Sequence, residues 1–363
     1  MSAVQSQQNK AVSLFFIWAT GGSLAKSAGG ARTDRVGFGV WSNMPIGDAM
    51  ACVKEAEKQG FESTWVVESS LTPGKDAVSY LGALAVSTKH IRLATGAINI
   101  FSRSATLIAS TMATLDEMSK GRMILGIGTG HDVVTGYHSI RFQDPLNRIL
   151  EYVEVFRQLV RGGTVNYKGN YIQIENLKLN LQPYREKIPV YVATVGRRLA
   201  RIAGEVADGV LFVLTSPSRV GELTESVREG ARDAGRAMDD VDVACYLPTF
   251  AMEDTETALR VARQTVAGYA RSKFYRRLYA KMGYGKEAQQ LAEAWAKAGM
   301  QEAVSTVPER MARELVLVGT LDECKRRLAE YRRLGVKLPV IQPYYTLGDL
   351  NSNVRRCIER FAP

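Results

Sequence analysis

The chain has 363 residues, of which 46% are hydrophobic and 23% are charged, so a substantial core is available and wholesale disorder is excluded. No apolar run reaches the roughly 18 residues that a membrane span requires, which excludes a membrane partner. Lysine and arginine total 47 against 37 acids, and the net charge of +10 favours anionic ligands. Because acids are mixed among these bases, a nucleic-acid partner is not expected.

Residues 1–35 are predicted to be a leader outside the fold. Lys10 precedes an apolar run over 11–20, and the small residues at 23–25 would also suit a signal-peptide cleavage site. The four cysteines, at 52, 245, 324 and 357, lack the spacing of a disulfide framework or a zinc site. This favours a reducing, cytoplasmic location over secretion. With three histidines in the chain, no metal site is expected.

From Val36 onward, short apolar runs alternate with helix-length amphipathic segments. The predicted helices that follow the first three runs cover Ile46–Gly60, Asp76–Thr88 and Thr106–Ser119. Eight strand–helix repeats predict a parallel sheet closed into a TIM (β/α)8 barrel, with 36–363 as a single domain. The predicted strands are Val36–Trp41, Phe61–Glu68, Ile91–Ile98, Arg122–Gly128, Pro189–Ala193, Gly209–Leu214, Val241–Pro248 and Leu338–Pro343.

Two gaps between strands are too long for one helix, so insertions are predicted after strands four and seven, around 162–187 and 275–320. The first insertion alternates polar and apolar residues around a turn at Lys168-Gly169, which predicts a hairpin. The second insertion is basic and aromatic. An open doubly wound sheet with a second domain is the alternative, but the strand–helix rhythm resumes on both sides of the middle insertion without a linker.

In a barrel of this kind, chemistry is found at the carboxyl ends of the strands. Glu68 ends strand two, and its carboxylate would serve either as a catalytic base or as an acceptor for the neighbouring loop. His131 follows strand four and is a candidate general acid, because histidine titrates near neutrality. His90 and His138 are expected to be structural or exposed. No serine or cysteine is placed to complete a hydrolase triad with His131.

Glycines follow strand four in the run Gly126-Ile-Gly-Thr-Gly130. The dinucleotide pattern GxGxxG fails, because the sixth position is His131 or Val133 according to the starting glycine. The glycines therefore indicate either a tight turn or close backbone approach to a planar ligand.

Arg197 and Arg198 open the helix that follows strand five, just after Gly196. Cations are disfavoured at a helix N-terminus unless an anion is bound there, so the pair points to phosphate, with a solvated arginine pair as the alternative. Residues 270–286 carry six cations, four aromatic residues and no acid. This segment is either the solvated face of an amphipathic helix or a docking surface for an anionic substrate or cofactor tail.

Four segments together resemble the bacterial-luciferase-like superfamily of flavin- and deazaflavin-dependent oxidoreductases, over about residues 36–345. Within it the chain is most similar to methylenetetrahydromethanopterin reductase-like members, which use the deazaflavin coenzyme F420. The segments are 94–99 (ATGAIN), 113–130 (ATLDEMSKGRMILGIGTG), 188–196 (IPVYVATVG) with 203–209 (AGEVADG), and 317–323 (LVGTLDE).

The resemblance implies a TIM-barrel oxidoreductase with its cofactor ring at the barrel mouth, against a bulge with a cis bond at Gly96-Ala97. It implies a phosphate-binding turn after strand five, a homodimer, and hydride transfer between reduced F420 and a small electrophilic substrate such as a C1-carrying pterin. From the residues themselves, His131 is predicted to be the leading proton donor, oriented or assisted by Glu68. The residues and the resemblance together predict cofactor contacts at Gly96, Ala97, Asn99, Gly128, Thr129, Thr194, Val195, Gly196 and Arg197.

Three positions depart from the pattern of the family's deazaflavin enzymes. Such enzymes commonly carry Asp-His where this chain has Glu68-Ser69, and an acid where it has His131. The reductase has a carboxylate at the end of strand one, where Trp41 stands here. An FMN-dependent monooxygenase and a non-catalytic flavin-binding barrel therefore remain as alternatives.

Overall fold

The structure, a computed structural model, describes residues 34–68, 74–130, 136, 138–345 and 353–363. Residues 1–33 of the predicted leader lie outside these residues. Its last residue, Arg35, is described and forms ion pairs with Glu62 and Asp242, so the leader was predicted two residues too long, and 34–363 forms one compact unit. The strands are β1 (Gly37–Val40), β2 (Ser63–Val66), β3 (Arg92–Thr95), β4 (Ile98–Asn99), β5 (Met123–Gly128), β6 (Val165–Lys168), β7 (Gln173–Leu177), β8 (Val190–Thr194), β9 (Gly209–Val213), β10 (Asp242–Ala251), β11 (Leu317–Gly319) and β12 (Leu338–Pro343). The helices are α1 (Ile46–Lys58), α2 (Ala77–Ser87), α3 (Ala105–Ser119), α4 (Pro145–Arg161), α5 (Arg197–Val206), α6 (Pro217–Asp233), α7 (Thr255–Ala270), α8 (Lys273–Lys281), α9 (Gly285–Ala298), α10 (Met300–Ser305), α11 (Glu309–Leu315), α12 (Leu321–Arg333) and α13 (Asn353–Phe361).

Eight parallel strands close into the predicted barrel. Their order is β1-β2-β3-β5-β8-β9-β10-β12, and β12 pairs with β1 through Gly37 opposite Val340. The barrel confirms the predicted fold, and each of the eight strands overlaps its predicted segment. Two short strands extend the sheet, β4 beside β5 and β11 beside β10. None of the helices in the described ranges is long and apolar enough to cross a membrane.

Both insertions occur after the predicted strands. The first contains an antiparallel hairpin, β6–β7, in which Tyr167 is opposite Ile174. The second follows α7 and consists of helices α8 to α11, before the chain returns to the sheet at β11. The apolar faces of these helices form a core of their own with α7, which includes Tyr279, Tyr284 and Leu291. This second core lies beside the barrel and carries α8 to the barrel mouth, where α8 residues line the cavity described below.

Large aromatic side chains fill the barrel interior and give their polar atoms local partners. The rings of Trp65 and Tyr191 meet edge to face, with centroids 5.2 Å apart. The Trp65 indole donates to Ser63 Oγ at 2.9 Å, and the Tyr246 hydroxyl donates to the Trp65 carbonyl at 3.1 Å. Buried aromatic groups with satisfied polar atoms make a stable plug, so space for a ligand is left only at the barrel mouth.

Two glycines allow helices α5 and α6 to approach until their backbones touch. A Cβ at Gly204 would lie 2.1 Å from the Val227 carbonyl oxygen, and a Cβ at Gly230 would lie 1.9 Å from the Arg201 carbonyl oxygen. Neither distance is compatible with a side chain. The close packing also holds the N-termini of the two helices at the same end of the barrel.

Gly230→Ala should therefore destabilise the protein, although alanine is the better helix former. We expect the free energy of unfolding to fall by about 1–3 kcal/mol, the usual cost of overpacking. Gly221→Ala on the same helix is the matched control, because its nearest neighbour would be Leu334 Cδ2 at 3.7 Å. We expect the control to be neutral or slightly stabilising. Urea denaturation measures both, and equal midpoints for the two variants would contradict the close-packing argument.

Candidate active site

A cavity of about 1160 Å³ opens at the carboxyl ends of the barrel strands. Its lining includes every predicted site residue that the structure describes, and His131 lies outside the described residues. These residues come from four distant stretches of sequence that the barrel brings together. They are Glu68, Gly96, Ala97, Asn99, Gly128, Thr129, Thr194, Val195, Gly196 and Arg197.

The predicted bulge follows β3, and the Gly96-Ala97 peptide bond is cis, as the resemblance implies. It is fixed against β5 by Thr95, whose hydroxyl donates to the Gly126 carbonyl at 2.7 Å and accepts from the Gly126 N–H at 2.8 Å. A Cβ at Gly126 would lie 2.0 Å from the Thr95 carbonyl oxygen. The contact requires glycine at 126, so the bulge and β5 form one rigid edge of the cavity.

The sequence left open whether the glycines after strand four serve a tight turn or the close approach of a ligand, and different glycines of the run suit each role. Gly130 has a φ of +60°, and a Cβ there would lie 2.4 Å from Asn99 Nδ2, so this glycine serves a turn. Gly128 lines the cavity, and a Cβ there would make only an ordinary contact with Ala193 Cβ at 3.5 Å. Gly126 and Gly130 are therefore required by the protein's own packing, and Gly128 belongs to the wall of the cavity.

Asn99 places a donor at the cavity wall that has no partner. The side chain is 7% exposed, and its Oδ1 accepts from the Phe101 N–H at 2.8 Å. Among the described residues no acceptor reaches its buried Nδ2. An unpaired buried donor is costly, so this atom fits an acceptor supplied by a ligand.

Glu68 is held in place by two donors. Its Oε2 accepts from the Asn99 N–H at 3.1 Å, and its Oε1 pairs with Arg103 Nε at 3.3 Å. Arg103 also forms an ion pair with Asp76. The Glu68 side chain is 21% exposed. The sequence left two roles open for Glu68, a catalytic base or a hydrogen-bond acceptor for the neighbouring loop. These contacts match the second role, since the carboxylate supports the backbone of the bulge.

The other end of the cavity offers cations and free backbone donors. Helix α5 begins at Arg197 after Gly196 and has no side-chain cap. Arg197 and Arg198 are exposed, and Arg197 Nε donates to Ser226 Oγ at 3.3 Å. A Cβ at Gly196 would meet nothing within 4 Å, so the turn faces open space. Free N–H groups, the positive end of the helix dipole and two arginines together suit an anion.

Several cavity residues were not predicted from the sequence. Tyr246 and Gln342 line it from β10 and β12. Trp41, which the sequence analysis did single out at the end of strand one, lines it just after β1, and its Nε1 donates to the Pro343 carbonyl at 2.7 Å. Gln342 stands at a strand end, so the strand-end rule could have found it. His138, expected to be structural or exposed, is exposed and also lines the cavity. Tyr269 lines the cavity from α7, and Arg219 and Glu222 line it from α6. Phe274, Tyr275, Arg277 and Lys281 line it from α8, within the basic and aromatic segment that the sequence marked as a possible docking surface.

Two tyrosines of the cavity, Tyr246 and Tyr269, are poor sources of a proton at neutral pH. Burial raises the pKa of Tyr269 to about 12 and that of Tyr246 well above its ordinary value. Within the described residues, no group of three or more His, Cys, Asp or Glu side chains is arranged to hold a metal ion.

The fold and the site define a (β/α)8-barrel protein with a large cavity at its mouth, walled by the bulge after β3 and by a turn that suits an anion. Residues 15–338 match the family model described as luciferase-like monooxygenase. The chain belongs to this family, whose related members are oxidoreductases. A 5,10-methylenetetrahydromethanopterin reductase of Archaeoglobus fulgidus is 30% identical over 288 residues, which cover 78% of this chain and 86% of the relative.

Two further comparisons agree with this assignment. A protein of Mycobacterium tuberculosis named as a coenzyme F420-dependent oxidoreductase is 28% identical over 84% of this chain and 93% of its own. The solved structure of the coenzyme F420-dependent tetrahydromethanopterin reductase from Methanopyrus kandleri superposes with a TM-score of 0.79. That structure is 26% identical, and the match covers 90% of this chain and 97% of the reductase.

Variants of Glu68 separate support of the bulge from proton transfer. Glu68→Gln keeps an acceptor for the Asn99 N–H, so we expect cofactor affinity and turnover to change by less than about tenfold, because partly exposed ion pairs contribute little. Glu68→Ala leaves that N–H unpaired, at a cost of about 1–3 kcal/mol, and should weaken binding. Fluorescence titration and steady-state kinetics measure the two effects. A Glu68→Gln protein that binds normally but turns over at least about a hundredfold more slowly would instead identify Glu68 as a proton-transfer residue.

Proposed function

We propose that this protein is an F420-dependent oxidoreductase that transfers a hydride between the reduced deazaflavin and a small electrophilic substrate, such as a C1-carrying pterin. The observation that carries the proposal is the pairing, in one cavity, of the bulge after β3, with its unpartnered Asn99 Nδ2, and the uncapped helix start at Thr194–Arg197, which suits an anion. The similarity to methylenetetrahydromethanopterin reductases and to an F420-dependent oxidoreductase supports the choice of cofactor.

The residues present fit a large planar cofactor with an anionic tail. Pockets for drug-sized ligands occupy about 300–1000 Å³, and this cavity exceeds that range, so cofactor and substrate can share it. The unpartnered Asn99 Nδ2 suits an acceptor on the ring, and Gly96, Ala97 and Gly128 leave the wall beside it flat. Thr194, Val195, Gly196 and Arg197 would hold the phosphate.

When bound, the reduced deazaflavin supplies the hydride, and the protein supplies alignment and a water-poor environment. The bulge at Gly96-Ala97 would orient the ring, with Glu68 fixing the bulge through the Asn99 N–H. Trp41 and Tyr246 provide apolar surface in the same cavity and exclude water from the reacting atoms. His131 would donate the proton, since it follows Gly130 directly in the chain and Gly130 lines the cavity.

The substrate is proposed to carry an anionic group. Arg277 and Lys281 are one helical turn apart on α8, are exposed and line the cavity beside Phe274 and Tyr275. Among the described residues no carboxylate forms an ion pair with either cation. This arrangement favours the docking surface over the merely solvated face for this part of the helix. Activity toward paired substrates with and without an acidic group tests the proposal, and equal activity toward both would contradict it.

An FMN-dependent monooxygenase is the second candidate function. The matching family model is described as luciferase-like monooxygenase, and the strand-end residues Trp41 and Glu68 depart from the pattern of the deazaflavin enzymes. Oxygen dependence separates the two functions, because a deazaflavin does not readily activate oxygen.

We also propose a homodimer in the cytoplasm. Exposed Val86, Leu107 and Met118 lie on the neighbouring helices α2 and α3 and offer an apolar surface to a second copy. The four cysteines are buried and free, as in a reducing compartment. Light scattering on the purified protein tests the dimer, and a monomer at micromolar concentration would exclude it.

The purified protein should bind F420 tightly and largely ignore FMN. The test is a pair of titrations with the two cofactors, each followed by absorbance and fluorescence. Selective binding of F420 supports hydride transfer and is followed by anaerobic assays with C1-pterin substrates. Tight binding of FMN alone would instead support the monooxygenase, to be tested by oxygen uptake with a flavin reductase. Binding of neither would contradict a cofactor-dependent function.

His131→Ala should lower turnover by about 10²–10⁴-fold, the usual contribution of a general acid, with little effect on F420 affinity. His90→Ala is the control, because His90 is exposed next to β3 at the amino end of the strand, away from the cavity. His138→Ala shows whether the second histidine near the cavity contributes. Steady-state kinetics with each variant measures the effect, and unchanged turnover in His131→Ala would eliminate this residue as the donor.

A further inference from the structure

Arg219, on helix α6, connects that helix to the turn after β8 that is proposed to bind an anion. It lies in the first turn of α6, where its N–H donates to Ser216 Oγ at 3.4 Å. Its side chain reaches back to the turn after β8, and Nη2 donates to the Val195 carbonyl at 3.3 Å. Val195 belongs to the turn proposed to hold the cofactor's phosphate, so Arg219 is attached to that turn from the neighbouring barrel unit.

The pairing of Arg219 is incomplete. The side chain is 11% exposed, and its buried Nε has no partner among the described residues. The carboxylate that meets it is that of Glu222, whose Oε2 lies 3.1 Å from Nη1. A guanidinium has five N–H donors in a planar fork, and buried donors without partners are costly. Arg219 is therefore a largely buried cation with donor capacity to spare at the edge of the cavity.

Glu222 is a weakly held partner of the Arg219 guanidinium. It stands three residues after Arg219 on the same helix, its side chain is 57% exposed, and it also lines the cavity. Exposed pairs at this spacing contribute little, and the side chain can turn into water without loss of burial. Phosphate offers three oxygens and more charge, and it binds arginine in a bidentate manner, so it is the stronger partner.

The charges around Arg219 favour the replacement of Glu222 by a phosphate as its partner. Arg197 and Arg198 are exposed at the start of α5, and the close packing at Gly204 and Gly230 keeps that helix against α6. Arg197, Arg198 and Arg219 therefore line one cavity from two helix N-termini, and of the three Arg219 pairs with Glu222. Cations in the first turn of a helix are unfavourable without a bound anion, so this corner carries an excess of positive potential.

We propose that Glu222 neutralises Arg219 in the free protein and is displaced when the phosphate of the cofactor binds, so that Arg219 becomes a determinant of phosphate recognition. The inference rests on the proposed cofactor class and deepens it. It assigns to this corner a preference for phosphate-bearing over phosphate-free deazaflavins, set by Arg219 and opposed by Glu222.

The experiment compares two probes, F420 and the deazariboflavin that lacks the phosphate, by fluorescence titration of the full-length protein. We expect Arg219→Gln to weaken F420 binding by about tenfold or more, the size of a charged hydrogen bond, and to leave the phosphate-free probe unaffected. Glu222→Gln should strengthen F420 binding by about twofold, because it removes the competing carboxylate. The phosphate-free probe should again be unaffected.

The matched controls are Arg228→Gln and Glu225→Gln. These residues form an exposed pair of the same spacing on the same helix, and neither lines the cavity. Both control variants should bind the two probes as the unaltered protein does. If Arg219→Gln does not fold, Glu222→Gln still decides the matter, because its exposed side chain can be changed without disturbing the core.

Three results would overturn the inference. Equal losses for both probes in Arg219→Gln would assign the residue to the structure of the site. Unchanged or weaker F420 binding in Glu222→Gln would exclude competition by the carboxylate. Binding of neither deazaflavin by the unaltered protein would remove the proposed cofactor, and the inference with it, whereas the first two results leave the cofactor proposal intact.

Discussion

The cavity depends on the contact between β3 and β5, where the Gly126 Cα approaches the Thr95 carbonyl more closely than any side chain would permit. Thr95 uses its hydroxyl both to donate to and to accept from Gly126. These two hydrogen bonds fix Thr95, the last residue of β3, and the bulge at Gly96-Ala97 comes directly after it in the chain. Glu68 then holds the next residues through the Asn99 N–H. The wall of the site is therefore built from backbone held by neighbouring strands.

The second constraint on the cavity is the set of aromatic side chains that fills the barrel interior beneath it. Trp65, Tyr191 and Tyr246 fill the barrel interior, and the Tyr246 hydroxyl donates a hydrogen bond to the Trp65 carbonyl. A ligand can therefore enter only at the mouth. The mouth then divides into two regions of different character. The region around the bulge is mostly apolar and holds an unpaired amide donor, while the region at the start of α5 holds cations and free N–H groups. This division suits a ligand with a flat ring at one end and an anion at the other.

The sequence was sufficient to predict the barrel, because apolar runs of strand length alternated with amphipathic helices from Val36 to the end. The glycines and strand ends also predicted one wall of the cavity, since strand ends meet at one edge of a parallel barrel. For the second insertion, the sequence left open whether residues 270–286 form a solvated helix face or a docking surface, and it could not decide between them. Its basic and aromatic composition describes α8, but only the packing of α7 to α11 into a second core determines that Arg277 and Lys281 reach the mouth.

Arg219 was missed for a related reason. In the sequence it is one arginine among many, three residues before a glutamate, which is typical of an exposed helical pair. Its burial arises from the approach of α5 to α6, which depends on Gly204 and Gly230, far apart in the chain. Glu68 shows the converse: its position at a strand end was correctly noted, but only the structure reveals that Arg103 and the Asn99 N–H hold it.

The proposal of His131 as the proton donor rests on the contacts and the ionisation of the other polar groups in the cavity. Burial raises the pKa values of Tyr246 and Tyr269, so their phenols stay protonated and are weak acids at neutral pH. The Glu68 carboxylate is paired with Arg103 and supports the bulge. Arginine and lysine side chains remain charged at neutral pH and suit anions better than proton transfer. Histidine is the side chain that gains and loses a proton near pH 7. Of His131 and His138, the proposal favours His131 because it directly follows Gly130 in the chain, and Gly130 packs against Asn99 at the cavity wall.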